Sequence, residues 1–336
     1  MNKLPVFRTF GNALGFTLWN FFTIFRLSWL PFAALFGTMY LVGYFAAGAM
    51  TTGALGTPVL NPRDLNENIV QFLLLESVMI LLQAIVIAAV AVSIHRVILF
   101  GDRRPGSFFN FAFGITEFLY VMMGALTLLI FIAIMGALLT PVIYIVSQGD
   151  FAGFFKQFRN FPASMPGFVQ SGEFVSLMLV YCLGGLVAFY FFLRLAVWPP
   201  AVVATKRLSP AEAWGLTRGN VWRLIGLFLL PVLLIWIVVI PATASYWYYN
   251  SQELQAVHEV APIAGLPNPD PTAAKEAARR VMEHKMQSFQ QFMPALWLAY
   301  LLFYIFFTGL SVAMLSYAYK ALKGYEAGEL IPAPHE

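Results

Sequence analysis

What this sequence has least of is charge. Aspartate, glutamate, lysine and arginine make up 11% of its 336 residues, against roughly 25% in a soluble domain. So few ions cannot coat a chain of this length, which excludes a water-soluble globular fold. Cysteine occurs once, at Cys182 in the fourth apolar run, so an internal disulfide is excluded and the redox compartment stays open. There the thiol is expected to act as a small buried apolar group. Four histidines and one cysteine are too few for conventional metal or thiol catalysis. The pairs His258-Glu259 and Glu283-His284 are read as accidental neighbours, not metal ligands. Gly-x-x-x-x-Gly-Lys-Ser/Thr loops, Gly-x-Ser-x-Gly elbows and His-Glu-x-x-His pairs are missing too. We therefore expect no enzyme activity, no cofactor and no resident metal. No lysine- or arginine-rich tract is present, so the pI near 9.1 does not indicate a nucleic-acid partner.

What the sequence does have is long uncharged stretches, at 27–62, 77–94, 118–149, 174–193, 224–252 and 286–319. A helix crosses the hydrocarbon core in about 20 apolar residues. Backbone polar groups in lipid must be satisfied within their own segment or in a closed barrel. Continuous runs without strict alternation exclude the barrel. The expected fold is an all-α integral membrane protein of about six transmembrane helices, at 27–50, 69–95, 118–140, 174–197, 222–243 and 295–319, with Pro141 marking the exit of the third. The first is read as a retained span, because its apolar stretch is about twice the length of a signal-peptide core.

Orientation is set by lysine and arginine, which the cytoplasmic side retains. With the N-terminus inside, 13 of the 20 basic residues fall on inner segments, and the outer segments carry nine acidic residues. Both termini are therefore expected in the cytoplasm. The inner-face excess makes anionic membrane lipids the expected partners.

The chain also repeats itself. Residues 10–36 set against 210–236 match at Ala13/Ala213, Gly15/Gly215, Thr17/Thr217, Asn20/Asn220, Leu27/Leu227, Leu30/Leu230 and Pro31/Pro231, seven identities in 27 ungapped positions. A third Gly-x-Thr stands at Gly114-Ile115-Thr116, before the third span. The expected organisation is three parallel units, at 5–100, 105–203 and 209–323, each an interfacial helix and a two-span hairpin. In the third, Ser209-Pro210-Ala211-Glu212 reads as a helix start, with Ser209 as N-cap and Glu212 closing a capping box. Ala213, Trp214 and Leu216 with Arg218 and Arg223 suit a headgroup-level helix. So do Phe7, Phe10, Leu14, Leu18, Phe21 and Phe22 with Arg8 and Arg26 in the first unit. Gly15 and Gly215 cost helix stability; close packing against a neighbouring helix is the expected reason, and a hinge or lipid notch the alternative.

Polar residues inside the membrane are few, and each is a candidate. Glu76 and Gln83 lie seven residues apart on one face of the second span, where an acid marks a proton or substrate site or a polar helix contact. Glu117 should pair with Arg96, Arg103 or Arg104 at the inner end of the third span. Arg194 should snorkel to the headgroups, ahead of Trp198-Pro199-Pro200, which anchors and breaks the helix. Outside, 148–173 is a phenylalanine-rich loop. Residues 248–292 carry an amphipathic helix from Asp270 to about Gln291, a surface for lipid, the protein's own loops or a membrane-protein partner.

The stretch Arg207-Leu208-Ser209-Pro210-Ala211-Glu212-Ala213-Trp214-Gly215-Leu216-Thr217-Arg218-Gly219-Asn220-Val221-Trp222-Arg223-Leu224 resembles a signature of bacterial inner-membrane proteins related to the membrane domain fused to some glycerophosphodiester phosphodiesterases. His95-Arg96-Val97-Ile98-Leu99-Phe100-Gly101 and Phe25-Arg26-Leu27-Ser28-Trp29-Leu30-Pro31 resemble the same family. The resemblance covers most of the chain and implies a multi-span protein of the bacterial inner (plasma) membrane. It brings no catalytic residues, since the phosphodiesterase barrel takes some 250 residues of soluble α/β sequence. The expected function is a non-catalytic scaffold or lipid-associated membrane factor. The alternative is a transporter or lipid-handling carrier that uses the Glu76/Gln83 face.

Overall fold

A computed structural model describes residues 2–51, 62–102, 113–148, 172–258 and 298–332. Helix is the only regular structure among them. In chain order these are α1 (Val6–Trp19), α2 (Phe21–Thr51), α3 (Pro62–Phe100), α4 (Ile115–Gln148), α5 (Gly172–Leu195), α6 (Trp198–Thr205), α7 (Pro210–Thr217), α8 (Val221–His258) and α9 (Leu298–Lys323). Five stretches are long and apolar enough to cross a membrane: Phe21–Met39, Ser77–Phe100, Ile115–Ala137, Tyr181–Thr205 and Leu298–Lys323. A sixth appears if α7 and the start of α8, Val221–Ile237, bent by 95°, count as one span.

The apolar runs form helices because only a helix closes its own backbone hydrogen bonds within one segment. The hydroxyls embedded in them obey the same logic. Ser28, Ser93, Thr127 and Ser316 each donate to the carbonyl four residues back, at 2.6 to 2.9 Å, so none needs water. Pro31 lies inside α2, and Pro231 and Pro241 inside α8. The outward faces are oily: Phe118, Leu129 and Ile132 on α4, Leu183, Leu186 and Phe192 on α5, and Leu233 and Ile237 on α8 are all exposed. An apolar exterior of this extent belongs in acyl chains.

Helix α3 packs against α2 and α4, α4 against α5, and α8 against α1 and α5. Helix α9 packs against α2 and, through Ser316 and His95, against α3. Its Tyr304 meets Phe32 of α2 edge-on at 4.8 Å, and Gly309 lies so close to α2 that a Cβ there would stand 3.0 Å from Ile24. The best-packed core gathers at one end of the bundle, around Leu4, Ile24, Leu99, Trp198, Leu224 and Leu227. Two helices arriving at this end stop on left-handed glycines, Gly101 after α3 (φ 69°) and Gly324 after α9 (φ 91°), where L side chains are strained. Beyond Gly324, the Ile331 amide donates to Leu99 O at 2.8 Å, tying the C-terminal segment under α3.

Several details differ from the expectations. Pro141 does not end its helix, since α4 continues to Gln148. Helix α5 stops at Leu195, before Trp198, and Pro199 and Pro200 open α6; proline's missing N–H is harmless in a first helical turn. Trp198 is buried in the core rather than anchored at a surface. Ser209 occupies the N-cap position of α7 but makes no capping bond, and Glu212, expected to close the box, is turned instead to Lys323 and Tyr319 of α9. Cys182 is exposed on α5, not buried. The loop 149–171 and the helix expected from Asp270 to Gln291 lie outside the described residues, as do Arg103 and Arg104, whereas 249–258 continue α8.

Candidate functional site

The intramembrane candidates come out unevenly. Glu76 lies within α3, and its side chain is outside the described set. Gln83 is exposed, and its side chain faces the Tyr304 hydroxyl of α9. The structure does place most of the other polar candidates together, at the tightly packed end, where they link helix ends to one another.

Glu117 is buried and serves two partners. One carboxylate oxygen accepts from the Gly114 amide at 2.9 Å, the N3-to-N-cap bond of a helix start; the other faces Arg96 at 3.8 Å. Arg96 also donates to the Thr116 hydroxyl at 3.1 Å. The expected ion pair is therefore present, and it joins the end of α3 to the start of α4. Gly114 and Thr116 stand at the beginning of α4, whereas Gly15, Thr17, Gly215 and Thr217 stand inside α1 and α7. The middle tripeptide thus has a different local setting from the other two.

Arg194 does not reach out to headgroups. It is buried, with its guanidinium 4.3 Å from the centre of the Trp214 ring. A desolvated cation over an indole face is attracted by the ring's quadrupole, which lets α5 keep an arginine inside the fold. Its Nε has no hydrogen-bond partner among the described residues. The Arg194 carbonyl accepts from the Thr217 hydroxyl at 2.8 Å, and that hydroxyl is also 2.9 Å from Ala213 O. Thr17 makes the corresponding bond to Ala13 O at 2.8 Å.

Asn220 stands just after α7 and is 3% exposed. Its Oδ1 accepts from the Leu4 amide at 3.0 Å, and its Nδ2 donates to Asn2 O at 3.1 Å. Arg223 adds a bond to Leu4 O at 3.3 Å. The start of the chain is held here, with the Leu4 side chain fully inside. The Asn20 side chain, by contrast, donates back to Phe16 O of α1, the helix it follows, at 3.1 Å. Gly15 and Gly215 have nothing within 4 Å of a Cβ position. Among the described residues, the close packing expected of them is therefore absent.

Two further contacts were not singled out from the sequence. His95 of α3 and Ser316 of α9, both wholly buried, meet at 2.6 Å between Nδ1 and Oγ. With the Ser316 hydrogen donated to Val312 O at 2.9 Å, His95 Nδ1 carries the proton and Ser316 accepts it. The serine is thus occupied as a helix contact rather than poised as a nucleophile. A histidine in an otherwise apolar span was the available signal. Glu212 of α7 reaches Lys323 at 2.8 Å and accepts from the Tyr319 hydroxyl at 3.3 Å. Among the described residues there is no group of three metal-binding side chains.

Comparison with known protein families, with curated proteins and with solved structures finds no match to this chain. The class rests on the fold itself: long apolar helices with an oily exterior, joined by a polar layer at one end, mark an α-helical membrane protein.

Proposed function

We propose that this chain is a non-catalytic, lipid-associated factor of the bacterial inner membrane, one that organises lipids or neighbouring membrane proteins from its polar end. One observation carries this reading, an aromatic and basic rim. Phe7, Trp19, Phe22 and Trp222 are 81, 91, 86 and 84% exposed, beside the exposed Arg8, Arg207 and Arg218. Aromatic rings with basic neighbours favour the headgroup boundary, and helix α7, turned 95° from α8, suits a position along that boundary.

Six crossings with both termini inside fit this arrangement best. Asn2 reaches Leu322 O at 3.4 Å, so the two chain ends share one side of the bundle, which requires an even number of crossings. Counting the bent pair as a span gives six. The excess of positive charge at this end supports its cytoplasmic placement. The repeat reading is supported for the first and third units. Ala13 and Ala213 are buried, Thr17 and Thr217 return to them, Leu27 and Leu227 are buried, and Pro31 and Pro231 lie within the long helices that come next in each unit.

Mild extraction, with mass spectrometry of what stays bound, tests the function. Retained anionic lipid or a reproducible membrane-protein partner is the expected result, and a clean preparation with neither overturns it. Proteoliposome flux separates the carrier alternative. A carrier loses flux in Glu76→Gln while keeping its fold, and a lipid-associated factor shows no flux to lose.

A further inference from the structure

A cavity of about 290 Å³ opens at the polar end between the N-terminal segment, the first turn of α1 and the C-terminal turn of α9. That volume is at the lower edge of the roughly 300–1,000 Å³ typical of small-ligand sites, room for a headgroup but not for acyl chains. Three cations converge on it from separate parts of the chain, Lys3, Arg8 and Lys320. Two carboxylates are near: Glu326 lines the cavity, and Glu329, which accepts from the Glu326 amide at 2.6 Å, is close enough to act on Lys320 by its charge.

Lys320 is the unusual member. It is 2% exposed, and its ammonium donates to Ala327 O at 2.8 Å, which leaves donor capacity for a further acceptor. Lys3 and Arg8 have no carboxylate within ion-pair distance among the described residues. The start of α1 adds to the same field, for it has neither an acidic residue in its first turn nor a capping side chain. An uncapped helix N-terminus favours an anion. Phe7, next to Arg8, is one of the rim aromatics, so the mouth of the cavity adjoins the rim proposed to lie in the headgroup layer.

We propose that this cavity binds an anionic phosphate group, with Lys320 at its floor and Lys3 and Arg8 at its mouth. The source that fits a lipid-associated factor is the headgroup of an anionic phospholipid, and this assignment of source rests on that proposed function. Free inorganic phosphate shares the chemistry.

The test compares full-length wild type with Lys3→Gln/Arg8→Gln, both exposed positions whose replacement leaves the core intact. A control, Arg207→Gln/Arg218→Gln, removes the same charge elsewhere on the rim. Each is titrated in neutral detergent with phosphatidylglycerol by native mass spectrometry, and with inorganic phosphate by calorimetry. At about fivefold per cation, the pocket variant is expected to bind phosphatidylglycerol roughly 25-fold more weakly and to lose inorganic phosphate, whereas the control, which removes rim cations outside the cavity, is expected to lose less lipid and to keep its affinity for inorganic phosphate. Equal loss in both variants, or none in either, overturns the pocket. Inorganic phosphate bound by wild type and lost in the pocket variant, with no lipid retained, upholds the pocket and overturns the lipid-associated reading. Lipid retained equally by wild type and pocket variant does the reverse.

Discussion

Asn220→Ala is the substitution with the clearest energetic signature, because no neighbour can replace the wild-type side chain. It makes two hydrogen bonds to the N-terminal segment, at 3.0 and 3.1 Å. Each is worth about 1 kcal/mol net. Truncation also strands the Leu4 amide, which lies under a buried side chain, and an unsatisfied buried donor costs about 1–3 kcal/mol. With the Leu4 bond counted once, inside that penalty, the stranded amide and the lost Asn2 bond together come to about 2–4 kcal/mol of resistance to opening of residues 2–5. The matched Asn20→Ala loses one bond to the helix it follows and should cost less than about 1 kcal/mol. Hydrogen–deuterium exchange in detergent micelles reads both, on the peptide that spans the chain start. Exchange there should accelerate about 30- to 1,000-fold in Asn220→Ala and hardly change in Asn20→Ala. Equal acceleration in the two variants would refute the clamp, because sequence alone makes these asparagines equivalent.

The glycines give a second contrast. Gly215→Ala meets nothing within 4 Å and removes a helix penalty, so the thermal midpoint in detergent should rise by the equivalent of about 0.5–1 kcal/mol. A falling midpoint would mean that the glycine serves a bend rather than wasting stability. Gly309→Leu drives its side chain into Ile24, already 3.0 Å from a Cβ, and should cost about 1–3 kcal/mol through overpacking; an unchanged midpoint would deny the close approach of α9 to α2. Cys182, the sole cysteine, faces outward within Tyr181–Thr205. Acyl chains would keep a charged reagent from reaching it, so a charged maleimide should label it only after denaturation in SDS. Rapid labelling in intact bilayers would place that face of α5 in water.

The spans were legible because run length is a local property. No partner segment is needed to see that 118–149 is too apolar for water, and the helix at Ile115–Ala137 matches that run. The Glu117–Arg96 contact was legible for a related reason. In a chain this poor in charge, an acid at a span end has few cations to choose from, and desolvation forces it to choose one. Which segment buries against which could not be read. Arg194 resembles a snorkelling arginine in its neighbours' composition, and only the arrival of Trp214 from α7 makes burial the better solution. Trp198 and Ser209 failed in the same way: the tryptophan found a core instead of an interface, and the capping glutamate found Lys323 and Tyr319 across the fold.

The two asparagines carry the same distinction into the proposed repeat. Ala13, Thr17, Leu27 and Pro31 are buried like Ala213, Thr217, Leu227 and Pro231, and each threonine returns to the alanine four residues back, a contact local to its own helix. Asn20 and Asn220 part company because only the third unit meets the chain's start. The N-terminal segment bypasses its own unit and is clasped by Asn220 and Arg223, which seats Lys3 and Arg8 beside Lys320 of α9. The polar cavity therefore exists only where the first and third units close on each other. A sequence match between the units, however close, could not have shown a site that belongs to their junction.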